Sequence, residues 1–371
     1  MSDHAPPSAA PPSESEPGAP PAAAAALAPR AGTAGHMRVL VTGGAGYIGS
    51  VSVEVLLAAG HEVVVLDDLS TGHRGSVPEG VTFHPVSYGD TPAVAGILRA
   101  ERIDAVLHCA ARSLVGESVR EPALYYRENV VGGIGLLEAL RETGVRRLVF
   151  SSTAAVYGLP ERTPIEEGDP LRPISPYGET KRTFEGALRW YGRAYGLRSI
   201  ALRYFNAAGA SDRNGEVHDP ETHLIPNVLR AAEGRGEVTI FGEDYPTPDG
   251  TPIRDYIHVE DLAAAHMLAL VATAPDDPRT GGPGDGSAQA FNLGTGGGFT
   301  VREILAAAEA VVGASIPHRV GPRREGDPPV LIASPSRAME VLGWAPRRDA
   351  LIDIVGSAWA WRQRHPDGYR D

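Results

Sequence analysis

The chain has a single cysteine, Cys109, so no internal disulfide and no thiolate metal cluster can form. Aromatic residues make up 6% of the 371, and no run approaches the roughly 18 apolar residues that a membrane span requires. Basic residues are also in short supply: 34 Lys and Arg face 46 Asp and Glu, a net charge of −12. An acidic body argues against nucleic acid and anionic membranes as partners, and leaves room for one local basic pocket. The first 36 residues lack almost everything a core needs. They hold 8 Pro, 12 Ala and one branched apolar residue, Leu27, with neither the basic start nor the apolar centre of a signal peptide. Burial there cannot repay the entropy of ordering, so residues 1–36 read as a disordered tail, with folding expected to begin at Met37. A cytoplasmic protein is expected, and no residue set is singled out as binding a metal.

What is present is ample core material, 42% apolar residues, in a length that suggests about two to three folding units. From Met37 apolar runs alternate with helical periods. Arg38–Thr42, Glu62–Asp67, Asp104–Ala110, Arg147–Ser152 and Ser199–Tyr204 read as strands buried on both faces. Strands separated by helices imply an α/β fold, a doubly wound parallel sheet of the Rossmann type. Beyond residue 206 the texture changes. Segments 206–222 and 242–254 read as loops, 274–290 as a surface insertion, and 222–233, 259–272 and 300–313 as helices. The expected division is a dinucleotide-binding domain over 37–205 and a smaller mixed α/β substrate lobe over 206–371. Segments near 256–272 and 290–296 are expected to return to the first domain.

Gly43-Gly44-Ala45-Gly46-Tyr47-Ile48-Gly49 follows the first strand and opens a helix. Glycines there permit close backbone approach to a phosphate held on helix N-terminal amides. Asp67 ends the next strand, where a carboxylate accepts from a ribose 2′-hydroxyl and repels a 2′-phosphate, which favours NAD over NADP. Asp68 beside it is a second candidate for this contact. Further on, Ser175-Pro176 opens a helix on which Tyr177 and Lys181, four apart, share a face. An ammonium near a phenol favours the phenolate, which would make Tyr177 a usable base. Ser151-Ser152-Thr153 ends the preceding strand, where doubly wound sheets bind their ligands, so Thr153 is the hydroxyl expected beside that base.

The blocks VTGGAGYIGS, LDDLSTG, SSTAAVYG, SPYGETK, RYFNAAGA, IFGEDYPTPDGTPIRDYIHVEDLA and PRREGD together resemble the extended short-chain dehydrogenase/reductase family, in its sugar-nucleotide 4-epimerase branch. The resemblance implies NAD held at Gly43, Gly46, Tyr47, Ile48 and Gly49, with Asp67, Asp68, Leu69, Ser70, Thr71 and Gly72 around the adenosine ribose. It implies Tyr177 as base and Lys181 as its orienting partner, both also touching the cofactor, with Thr153 beside the substrate. Phe205 is implied against the cofactor and Asn206 against the substrate. Thr239, Ile240 and Phe241 would lie along the uracil, Arg254 and Arg324 on the diphosphate, and Asp327 on the uridine ribose. The activity implied is interconversion of UDP-galactose and UDP-glucose through a 4-keto sugar, by a homodimer joined through helices near 115–142 and 176–195. UDP-N-acetylhexosamines, UDP-pentoses, or an NAD-sensing regulatory protein on the same fold are the alternatives.

Several positions depart from that family's pattern: Ser87, Ser113, Glu128 and, most of all, His223, which stands where an Asn often touches the substrate. Ala154 and Ala155 follow Thr153, where sister dehydratases carry the acid pair that expels water. The resemblance places Leu331, of intermediate size, beside the sugar's 2-position, which implies UDP-galactose and UDP-glucose over the N-acetyl forms.

Overall fold

The computed structural model describes Met1 and residues 35–280, 288–324 and 326–369. The expected tail lies outside the described residues from 2 to 34, as does the 281–287 part of the expected insertion.

The first half of the chain lays down β1 (Arg38–Thr42), α1 (Tyr47–Ala58), β2 (Glu62–Leu66), β3 (Thr82–His84), α2 (Thr91–Ala100) and β4 (Ala105–His108). Helical turns over 115–132 lead into α3 (Gly133–Thr143), then β5 (Arg147–Thr153), α4 (Pro176–Tyr195) and β6 (Arg198–Tyr204). Among the described residues these strands form one parallel sheet in the order β3-β2-β1-β4-β5-β6, completed by β11 (Ala288–Leu293) beside β6. The order reverses between β1 and β4, and the glycine loop leaves β1 at that point. Ligands of such sheets bind outside the strand carboxyl ends there.

The strands alternate between two cores. Val39 and Val41 of β1 face one side with Val51 of α1, while Leu40 faces the other with Leu136 of α3 and Leu188 of α4. Both faces being covered, the strands read as continuous apolar runs rather than alternating ones. α4 begins where the sequence predicts: the Ser175 hydroxyl accepts from the Gly178 amide at 3.2 Å, a cap worth about 1 kcal/mol. It ends at Gly196, whose φ of +72° a side chain would resist.

The second half adds β7 (Asn206–Ala208), α5 (Leu224–Ala232), β8 (Val238–Phe241), β9 (Ile253–Arg254), β10 (Tyr256–His258) and α6 (Val259–Ala272). After β11 come β12 (Phe299–Thr300), α7 (Val301–Val312), β13 (His318–Gly321), β14 (Val330–Leu331) and α8 (Leu351–Arg364). Ile225, Ile240, Ile304 and Ile354 centre a third core. α6 does not join it: Leu262, Met267 and Leu270 pack with Val39 and Val51 against the large sheet.

Three loop expectations need correction. The 206–222 stretch opens with β7, which pairs in parallel with β10. The 242–254 stretch closes with β9, sandwiched between β12 and β14. Residues 288–290 belong to β11 rather than to an insertion. In each case the pairing partner lies far away in the chain, and tertiary contact overrides low local β-propensity.

Candidate active site

The phosphate loop is built on close backbone approach. A Cβ at Gly49 would lie 2.0 Å from the Gly43 carbonyl oxygen, and one at Gly43 would lie 2.5 Å from the Ala110 amide nitrogen. Gly43 itself has φ +72°. Gly46 caps α1 without any side-chain bond, so Tyr47, Ile48 and Gly49 present the amides of an uncapped helix start. Tyr47 runs sideways instead, its hydroxyl donating to the Gly209 carbonyl at 2.7 Å and tying the loop to the second half of the chain.

Asp67 is buried and already engaged. Its carboxylate accepts from the Ala45 amide at 3.0 Å and the Leu69 amide at 2.9 Å, so it braces the phosphate loop. Burial raises its pKa, and those two amides counter the rise. Asp68, Leu69, Ser70 and Thr71 are exposed around it, and Gly72 closes against Asp67, where a Cβ would lie 2.8 Å from the carboxylate.

At the carboxyl end of β5, the Thr153 hydroxyl accepts from the Ala155 amide at 3.2 Å, and Thr153 acts on the Tyr177 phenol. Lys181 is buried one turn along α4. Its ammonium donates to the Ser151 carbonyl at 2.9 Å and lies 5.9 Å from the Tyr177 ring centroid. The electrostatics differ from the sequence expectation. Burial raises the Tyr177 phenol, and the group that pulls it back down is Thr153. Lys181 is itself pushed down to about 8, chiefly by burial. Desolvation dominates both shifts.

Beneath this set runs a buried chain that sequence reasoning missed. The Ser152 hydroxyl donates to Glu185 at 2.6 Å, and Arg203 grips the Glu185 carboxylate at 2.6 and 3.0 Å. Arg203 also donates to the Tyr157 hydroxyl at 2.8 Å, which donates to Asn292 of β11 at 2.7 Å. Glu185 lies four residues beyond Lys181 on the same face of α4, and that spacing was the available signal.

The second half supplies the remaining candidates. Asn206 donates its side-chain amide to the Asp255 carbonyl at 2.9 Å. Asp255 is fully buried, and its carboxylate accepts from the Thr295 and Ala333 amides at 2.8 and 3.1 Å, which fixes β9 and Arg254. Arg254 pairs with Asp327, and the Arg324 guanidinium lies 4.0 Å above the Phe241 ring. Thr239 and Phe241 share the more open face of β8. Ile240 does not: it is 0% exposed within the third core, so only its main chain is left for a ligand. Phe205 and Leu331 pack with Val156 and Tyr157, just after Thr153, bringing the two halves together.

Among the departures, Ser87 accepts from the Gly89 amide at 3.3 Å, and the Glu128 carbonyl accepts from the Tyr88 hydroxyl at 2.7 Å. Ser113 is exposed. His223 points its Nδ1 at Glu216, 2.7 Å away. No carboxylate follows Thr153, since Ala154–Val156 form a short helical turn.

Residues 39–293 match the model of the NAD dependent epimerase/dehydratase family, and the chain belongs to that family. It is 50% identical over 338 residues to a UDP-glucose 4-epimerase of Lactobacillus helveticus, covering 90% of this chain and 100% of that protein. A crystal structure of the Brucella ovis UDP-glucose 4-epimerase in complex with NAD superimposes with a TM-score of 0.83 at 46% identity, covering 87% and 98% of the two chains. The Stenotrophomonas maltophila UDP-glucose-4-epimerase, with bound NAD and formylated UDP-arabinopyranose, does so at 0.83 and 40%, covering 89% and 99%.

Proposed function

We propose that this chain is a UDP-sugar 4-epimerase that interconverts UDP-galactose and UDP-glucose with NAD held throughout the cycle. The observation that carries the reading is Tyr177 and Lys181 one turn apart on α4, with Thr153 at the end of β5 lowering the phenol and the Ser151 carbonyl holding the ammonium, in a chain of this family.

The donor set fits a dinucleotide. Uncapped amides at the start of α1 suit a pyrophosphate, and the crowded Gly43–Gly49 approach leaves the loop no side chain to obstruct one. Asp67 and the exposed 68–71 turn suit the adenosine ribose. Bound there, NAD supplies the acceptor, and then the donor, of the hydride exchanged at C4 of the sugar.

Tyr177 takes the proton of the sugar's 4-hydroxyl and returns it. Thr153 lowers the phenol and so favours the phenolate against the cost of burial. Lys181, held by the Ser151 carbonyl, keeps positive charge beside it below about pH 8. Arg254 and Arg324 offer forked donors to the diphosphate, and Asp327 an acceptor to the ribose. Thr239, Phe241 and the main chain of Ile240 line the base. Anchoring the diphosphate lets the sugar turn between the two hydride transfers without leaving. Phe205, Asn206 and Leu331 border that space.

A homodimer fits Val115, Val119, Tyr126 and Val131, which with Ile174 and Trp190 are large apolar side chains left exposed. Among the described residues no helix is long and apolar enough to cross a membrane, and a cytoplasmic location accords with the acidic body.

The deciding assay supplies UDP-galactose to purified protein without added NAD. UDP-glucose is the expected product, and its absence even with NAD supplied overturns the reading. Rates on the N-acetyl pair are expected to be lower; a preference for UDP-GalNAc would remove Leu331 from its role.

A further inference from the structure

The segment 209–223 carries chemistry that the epimerase reading does not use. It is tethered along its first part. Gly209 accepts from Tyr47, Ser211 and Asn214 donate to Glu54 at 3.0 and 2.5 Å, and the Gly215 amide donates to Tyr369 at 3.0 Å. From residue 216 onward the tether changes character. Glu216, His218, Glu221 and His223 follow one another as E-x-H-x-x-E-x-H, and one ligand atom from each lies within 4.8 Å of all the others.

The spacing of those atoms is informative. Nδ1 of His223 lies 2.7 Å from Glu216 and 3.3 Å from Glu221, and Nδ1 of His218 lies 3.2 and 3.7 Å from the same two carboxylates. Ligands at about 2.0–2.1 Å from a tetrahedral zinc ion are separated by roughly 3.3–3.4 Å, in the middle of that range. Nδ1 of His218 is shielded from solvent yet makes no hydrogen bond of acceptable geometry, so it is not simply paired with Glu216. Both carboxylates are almost wholly buried, with side chains 7% and 4% exposed, and two such charges sharing a site need a cation between them. Glu221 is oriented further by the Thr222 and His223 amides, each 2.8 Å from it. The histidines are the more open members, which leaves an entry path and a position for water.

We propose that Glu216, His218, Glu221 and His223 bind one divalent transition-metal cation of the zinc class, which closes the 216–223 segment beside the phosphate loop. Two nitrogens and two carboxylate oxygens suit that class rather than calcium or magnesium, which take all-oxygen sites. A cation here runs against the sequence expectation of no metal. The competing arrangement is two imidazolium–carboxylate pairs with no metal.

The test uses untagged full-length protein stripped with a chelator and titrated with Zn2+ alone. Calorimetry and metal analysis after gel filtration are expected to give one Zn2+ per chain. His218→Ala and His218→Ala/His223→Ala should weaken binding at least 100-fold, and Zn2+ should raise the melting temperature of the parent but not of the double variant. Co2+ titrated into the parent should give the visible absorption of a tetrahedral site, a readout independent of how the variants fold. Substoichiometric binding, undiminished binding by the double variant, or a Co2+ spectrum like that of the free ion each overturns the site and leaves the epimerase assay unaffected.

Discussion

Arg254 and Asp327 are bound to each other: a guanidinium nitrogen lies 2.5 Å from the Asp327 carboxylate, while another donates to the Ile253 carbonyl at 2.7 Å. Two residues expected to hold different parts of one ligand are thus a single unit before any ligand arrives. The pair pre-orients the fork and neutralises part of its charge, so diphosphate binding must share Arg254 with Asp327.

Removing either partner should therefore act on substrate binding, but unequally. Arg254→Ala takes away a charge-assisted fork and leaves a carboxylate facing the diphosphate, so kcat/KM is expected to fall about 100-fold or more, mostly through KM. Asp327→Asn keeps a hydrogen-bond partner and should cost about tenfold or less. Steady-state kinetics on UDP-galactose decides this, and equal losses in the two variants would contradict the shared unit.

Tyr177→Phe keeps the ring and removes the proton acceptor. Turnover should drop by about 10²–10⁴, the span of general-base catalysis, with UDP affinity unchanged by calorimetry. Thr153→Val should have a smaller effect in the same direction and displace the acid limb of the rate profile upward, because Thr153 is the group that lowers the phenol. A Tyr177→Phe enzyme at full speed would falsify the assignment.

Lys181 carries a cost as well as a use. Burial lowers its pKa to about 8, so between pH 8 and 10.5 the unfolded chain binds the extra proton and stability rises with pH. Lys181→Met removes that cost and should raise the melting temperature at pH 7 while abolishing turnover. In the parent, activity should decline as pH climbs through about 8. Denaturation curves and pH–rate profiles measure the two effects separately, and a Met variant melting well below the parent at pH 7 contradicts the burial argument.

Glu54 on α1 gives the opposite slope. Burial raises it to about 7, against the hydrogen bonds from Ser211 and Asn214. Between pH 4.5 and 7 the folded chain holds the extra proton, so this residue's contribution to stability falls as pH rises. Glu54→Gln should flatten that part of the stability profile, as followed by urea denaturation at several pH values. An unchanged slope would mean the carboxyl titrates normally.

How much of this was readable beforehand depended on whether the cause was local. The start of α4 was legible because Ser175 and Pro176 act within four residues, and the phosphate loop because glycines answer a purely backbone demand. β7, β9 and the first residues of β11 were not, since their pairing partners come from elsewhere in the chain. The order of Thr153, Tyr177 and Lys181 was visible, but the balance of their electrostatics was not, because desolvation depends on the whole surround. Ile240 shows the same limit: a strand motif names three neighbours, and only the fold says which one faces the core.

The packing of α6 bears on how such enzymes can be recombined. Its Leu262, Met267 and Leu270 lie in the same core as Val39 and Val51, and Trp344 joins them from still further along. A fragment ending near residue 205 would leave that face of the large sheet bare. A chimera made by one crossover would join a sheet from one parent to a covering helix from another. Exchange of sugar specificity between relatives thus requires cassettes with several junctions, and gene fusion or fragment complementation at residue 205 starts from an aggregation-prone half.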